Sequence, residues 1–102
     1  MQSILRGYIL LKKQSHPMGN VSDINRCFAS VLRGFRKNAG MSQEKLALEA
    51  NLDRTYISLL ERGINQPSLK TLFAIADVLH VQPHEIVREV ESNLSKLSTP
   101  KV

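Results

Sequence analysis

Hydrophobic residues along this chain recur at helical spacing and seldom alternate as in a strand. The clearest stretch is Ser42–Gly63, which reads as two short helices joined by a tight turn. Ser42 can cap the first helix, whose apolar positions are Leu46, Ala47 and Ala50. Asn51 tolerates the positive φ of a turn, and Leu52 plugs the corner behind it. Asp53 caps the second helix, Ile57 and Leu60 form its inward stripe, and Gly63 ends it. Helices this short are unstable alone, so they must rest on neighbours. Ala47 permits the close approach that a sharp turn demands.

The flanks supply those neighbours. Ser22 or Asp23 caps a helix that runs to about Ala39, with Phe28, Val31, Leu32 and Phe35 inward and Gly40 as its stop. After the loop Ile64–Pro67, Ser68 caps a helix from Leu69 to Leu79. Leu69, Leu72, Phe73, Ile75, Ala76 and Leu79 give that helix a wide apolar face, as expected of the central helix in a bundle. His80 and Val81 close it. Pro83 and Glu85 open a fifth helix carrying Ile86, Val87, Val90, Leu94 and Leu97. The pattern predicts an all-α domain of five helices over residues 23–97, an extension over 1–22 and a short tail over 98–102. In the extension, Ile4, Leu5, Tyr8, Ile9 and Leu11 can line a helix, or Tyr8–Leu11 can pair as a strand with another chain. His16-Pro17 and Gly19-Asn20 interrupt either form. A disordered, non-essential extension and an arm that packs on the domain or a partner both remain open.

Composition narrows the picture. Apolar residues make up 42% of the 102 residues but aromatics only 5%, so the core is aliphatic. The net charge of +5 and a pI near 9.7 favour a polyanionic partner. Residues 25–90 hold nine Lys/Arg against seven Asp/Glu, so any basic surface must arise by segregation in three dimensions. Cys27 is the single cysteine, which forbids an internal disulfide, suits a cytoplasmic protein and reads as an ordinary core thiol. No apolar run approaches the ~20 residues of a membrane span, and Tyr8–Leu11 is too short for a signal peptide. Phosphate loops, G-x-S-x-G and H-E-x-x-H are absent, and no carboxylates pair. The expectation is no enzyme, no cofactor and no metal. His80 and His84 are four apart, but Pro83 between them starts a new helix.

The chemistry that is present suits double-stranded DNA. A helix-turn-helix can offer its second helix to the major groove. There Arg54 can form a bidentate pair with guanine, and Thr55 can meet a base edge or a thymine methyl. Tyr56 can reach a phosphate with its hydroxyl while its ring packs locally, and Ser58 and Leu59 follow. Ser42 and the N–H groups beside it suit an anion. Arg33, Arg36 and Lys37 cluster where cations favour a helix dipole.

Met41–Ala47 (MSQEKLA), Asn51–Ser58 (NLDRTYIS), Leu60–Gly63 (LERG) and Pro67–Leu72 (PSLKTL) resemble the Cro and phage-repressor type of helix-turn-helix regulator. Arg54–Ser58 (RTYIS) is most similar to the controller proteins of restriction–modification systems. The resemblance covers about Phe28 to about Val87 and implies a lambda-repressor-like fold. It implies that Arg36 and Glu61 form a structural ion pair, and that Gln43 binds phosphate. It also implies that Arg62 and Asn65 contact the DNA backbone, and that Leu59 faces the bases. Met18 sits where such a chain usually starts.

Reading an operator with high specificity usually takes two recognition helices. Val87, Val90, Leu94 and Leu97, spaced three, four and three apart, predict a seam between two copies of the fifth helix. The competing role for Val90, Leu94 and Leu97 is to cover the N-terminal segment. The function expected is a dimeric, sequence-specific transcriptional regulator on a near-palindromic operator, cytoplasmic and associated with the bacterial nucleoid. The alternative is an antitoxin or other protein-interaction module on the same fold, with residues 1–22 as the binding segment. The genomic neighbourhood separates the two, an adjacent restriction–modification pair against a small toxin gene, and a gel shift on the protein's own promoter is the most informative experiment.

Overall fold

A computed structural model describes residues 21–98. The segment Ile4–Leu11, the His16-Pro17 break and residues 99–102 lie outside the described residues. The described residues form five helices and no strand. They are α1 (Val21–Asn38), α2 (Gln43–Ala50), α3 (Arg54–Glu61), α4 (Leu69–Leu79) and α5 (Pro83–Ser98).

Local chemistry sets where the inner helices start. The Ser42 hydroxyl accepts from the Lys45 amide at 3.0 Å, Asp53 from the Thr55 amide at 3.2 Å, and Ser68 from the Thr71 amide at 3.1 Å. At α5 the Glu85 carboxylate reaches back to the Gln82 amide at 2.9 Å, half of a capping box. Ser22 and Asp23, the alternatives expected as its cap, both lie inside the first turn of α1, because the helix reaches back to Val21.

The first four helices end alike. Gly40, Asn51, Gly63 and His80 each adopt a left-handed conformation, with φ of 70°, 58°, 74° and 59°. In each case the left-handed residue bonds back three residues and the next residue bonds back five. The Asn51 amide reaches the Leu48 carbonyl at 3.2 Å, and the Leu52 amide reaches the Ala47 carbonyl at 2.8 Å. This is the Schellman motif, and it turns the chain sharply while satisfying carbonyls that the helix leaves open.

The core is aliphatic. Leu32, Leu46, Ile57, Leu60, Ile75 and Ile86 are fully buried, one or two from each helix. Each contributes roughly 1.5–3 kcal/mol relative to an exposed side chain. Phe28, Val31, Ala47, Leu72, Ala76 and Leu79 join them, and Phe35, Leu52 and Tyr56 pack against the cluster. Cys27 is buried, and burial, with the Asp23 carboxylate nearby, pushes its thiol pKa up.

Two expectations are corrected here. The wide apolar face of α4 is narrower than its sequence predicts. Leu72, Ile75, Ala76 and Leu79 are buried, whereas Leu69 and Phe73 are 72% and 58% exposed. The four-residue seam on α5 also breaks up. Val90 packs against the core and Leu94 is only 9% exposed, while Val87 and Leu97 are 50% and 58% exposed. The reason is that α5 runs along α1, so the stripe Ile86, Val90, Leu94 is the domain's own inner face. An a/d rhythm and an inward helical stripe share the same three-and-four spacing, and sequence alone did not separate them.

Candidate nucleic-acid interface

Helix α3 is divided lengthwise. Ile57, Leu60 and Glu61 are buried, and Tyr56 packs its ring against the core beside them. The opposite half carries Arg54, Thr55, Ser58, Leu59 and Arg62, which are exposed or half-buried. Residues three and four apart share a helix face, so Arg54, Ser58 and Arg62 form one row with Thr55 and Leu59 beside it. Arg54 and Thr55 stand fully outward in the first turn.

The buried half is anchored through Glu61, which is 3% exposed. Arg36 of α1 donates from Nε to its Oε2 at 2.6 Å and from Nη2 to its Oε1 at 2.9 Å. The same guanidinium donates from Nη1 to the Met41 carbonyl at 2.8 Å. Gln43, at the start of α2, donates from Nε2 to Glu61 Oε1 at 3.0 Å. Burial pushes the Glu61 carboxyl pKa up. The hydrogen bonds from Arg36 and Gln43, with the charges of Arg36 and Arg33, outweigh this and hold it below the ordinary glutamate range. The hydrogen bond to Glu61 outweighs burial in raising the Arg36 pKa. The pair implied for Arg36 and Glu61 is therefore formed.

Glu61 ties three helices together, α1, α2 and α3. It brings the N-terminus of α2 beside the last turn of α3. Ser42 and Gln43 thus lie at the end of α3 that leads into Arg62. A surface of exposed hydroxyls, amides and guanidinium groups on a fixed helix can dock in a groove and grip phosphate.

A family model described as helix-turn-helix matches residues 32–86, more than half of the chain. The chain belongs to this family of transcriptional regulators. The helix-turn-helix regulator is similar to the control protein C.BamHI of Bacillus amyloliquefaciens, with 42% identity over 65% of this chain and 83% of the relative. Among solved structures, it is similar to the restriction-modification controller protein C.AhdI from Aeromonas hydrophila. That match has 37% identity, 61% of this chain, 94% of the other and a TM-score of 0.60. It is also similar to the controller protein C.Esp1396I, solved as a tetramer in complex with its natural 35 base-pair operator. There the identity is 32%, the coverage 70% of this chain and 93% of the other, and the TM-score 0.63.

In this regulator the expected DNA-contact residues fall on adjoining elements. Arg54, Thr55, Ser58 and Leu59 are on α3, Arg62 and Asn65 follow it, and Ser42 and Gln43 open α2. The loop after α3 is itself held. The Asn65 amide bonds the Leu59 carbonyl at 3.4 Å, and Gln66 donates to Asn25 of α1 at 3.1 Å. Sequence reading missed the bond from Arg33 to the main chain of α3, at 2.7 Å from Nη1 to the Glu61 carbonyl. The available signal was spacing: Arg33 lies three residues before Arg36 and so shares its helix face. His80 and His84 lie on separate elements, one in the left-handed cap of α4 and the other in α5. No helix among the described residues is long and apolar enough to cross a membrane.

Proposed function

We propose that this regulator binds a near-palindromic operator as a dimer, controlling genes of the restriction–modification type. The observation that carries this is the outward row of α3, mounted on a buried ion pair beside the α2 N-terminus. Arg54 reads a guanine edge, Thr55 and Leu59 read neighbouring bases, and Ser58 adjoins them. Gln43, Ser42, Tyr56, Arg62 and Asn65 hold phosphates. The Gln43 amide has two N–H groups. With one committed to Glu61, the other is left for a phosphate oxygen.

The two copies pair through the exposed apolar residues around the start of α5. Phe73 and Pro83 line one surface depression of about 510 Å³, and Val87 lies one turn beyond Pro83 on the same helix face. Phe73 and Val87, each at least half exposed, are the apolar side chains that such a contact would bury, with Asp77, His80 and Gln82 beside them in the depression. The names of the relatives support control of restriction–modification genes, and the operator complex of the C.Esp1396I tetramer supports oligomeric binding. Paired copies would set two recognition helices about 34 Å apart, facing half-sites about 10 base pairs between centres.

The test is a gel shift with the DNA upstream of the protein's own gene, scored against random DNA of equal length. Retention of the native promoter alone, with a footprint of two inverted half-sites, is the expected result. Equal binding to both DNAs, or to neither, rejects the proposal.

A further inference from the structure

The carbonyl groups at the end of α3 show how the recognition helix is finished. Ser58 O accepts from the Arg62 amide at 3.0 Å, Leu59 O from the Ile64 amide at 3.0 Å, and Leu60 O from the Gly63 amide at 3.2 Å. A Schellman ending supplies no local donor to the next carbonyl, that of Glu61. That oxygen takes the Arg33 guanidinium at 2.7 Å, from a residue 28 positions earlier on α1. Among the described residues, the hydrogen bonds found give the corresponding carbonyls of α1, α2 and α4 no side-chain donor. Arg33 also helps lower the Glu61 carboxyl pKa through its charge. Arg33 and Arg36, one turn apart, thus hold the main chain and the side chain of the same residue.

We propose that Arg33 is a positioning residue for DNA binding: it caps the recognition helix from α1 and fixes the course of Arg62–Asn65. The Arg36 pair orients the Glu61 carboxylate, and the Arg62 amide holds the N–H side of the next peptide to Ser58 O, which leaves the carbonyl side of that peptide to Arg33. Arg33 holds that peptide, and the Gln66–Asn25 bond holds the far end of the same segment against α1. The backbone-contact candidates Arg62 and Asn65 lie between these two points. This inference rests on the operator-binding function proposed above. It predicts a loss of affinity shared by all sequences, because phosphate contacts carry no sequence information.

The test compares Arg33→Met, which fills similar space without a donor, with Arg33→Lys, which can still donate to the carbonyl. Amide exchange at Ile64 and Asn65 is measured in the DNA-free protein, and affinity is measured over a salt series on promoter and random DNA. Arg33→Met should speed exchange at both amides and weaken both DNAs about tenfold, the size of one charge-assisted hydrogen bond. Arg33→Lys should restore most of each effect. The salt slope should stay the same in both variants. Unchanged exchange with a slope reduced by about 0.9 would make Arg33 a direct phosphate contact and overturn the proposal. Wild-type affinity in Arg33→Met would overturn it as well. If the unmodified protein binds no promoter, the operator function fails; faster exchange in Arg33→Met would then leave only a structural cap.

Discussion

The Arg36–Glu61 pair offers the sharpest energetic test. Arg36 is 9% exposed and Glu61 3%, so neither charge is solvated once its partner is gone. Glu61→Leu leaves the Arg36 cation buried and removes the acceptor that Gln43 uses. Arg36→Met leaves a buried carboxylate with Gln43 and the Arg33 charge as its remaining support. Breaking a buried pair from one side costs about 3–5 kcal/mol. The double variant has no stranded charge. Its cost is the bonds to the Met41 carbonyl and from Gln43, about 1 kcal/mol each. The single losses therefore sum to roughly 6–10 kcal/mol against roughly 2 for the double, a coupling of several kcal/mol. A small domain has on the order of 5 kcal/mol in total, so the single variants sit near the edge of folding. Urea unfolding followed by circular dichroism in the cold, near maximum stability, keeps them measurable. Additive losses would refute the physical account of the pair. Acid supplies an independent check. The folded-state pKa of Glu61 is lowered, so its contribution is complete above the ordinary glutamate pKa of about 4.3 and is lost as pH falls through the lower folded value. The unmodified protein should therefore lose more stability than the double variant as pH drops below about 4.

Four further outcomes follow, three from the interface and one from the core. Arg54→Ala should cost roughly 1–3 kcal/mol on the operator and relax choice at one base pair, whereas Gln43→Ala should weaken all DNA evenly; equal losses in binding titrations would erase that division. Leu59 is half-buried on the outer half of α3, so Leu59→Gln should shift operator preference in a selection from random sequences while the melting temperature moves little; a large fall in melting temperature would make it a core residue. Phe73→Ser with Val87→Glu should give a folded monomer in sedimentation, with much weaker operator binding. By contrast, Leu94→Glu should unfold the domain, because Leu94 is buried within one copy.

Much of the fold was legible because its signals are local. Ser42, Asp53 and Ser68 cap helices by bonds within three residues, and the turns at Gly40 and Gly63 need only backbone freedom. The outer half of α3 was legible for the same reason, since periodicity separates Arg54 and Thr55 from Ile57 and Leu60. What the pattern missed depends on contacts distant in sequence. Whether Val90 and Leu94 face a second copy or α1 depends on where α5 crosses the domain. That Phe73 stands exposed depends on how far the other helices cover α4. Arg33 reads as one more cation near a helix end until α3 is seen to stop beneath it.

The division of α3 bears on how such a protein can change. Among the described residues, the hydrogen bonds found tie Glu61 and Gln43 to the frame but leave the side chains of Arg54, Thr55 and Ser58 out of it. Substitutions in that outer row alter what the helix meets in the groove while leaving the buried anchor intact. A lineage can therefore move to a new operator one base pair at a time without first gathering spare stability. The anchor has no such freedom, since altering Arg36 or Glu61 disturbs three helices together.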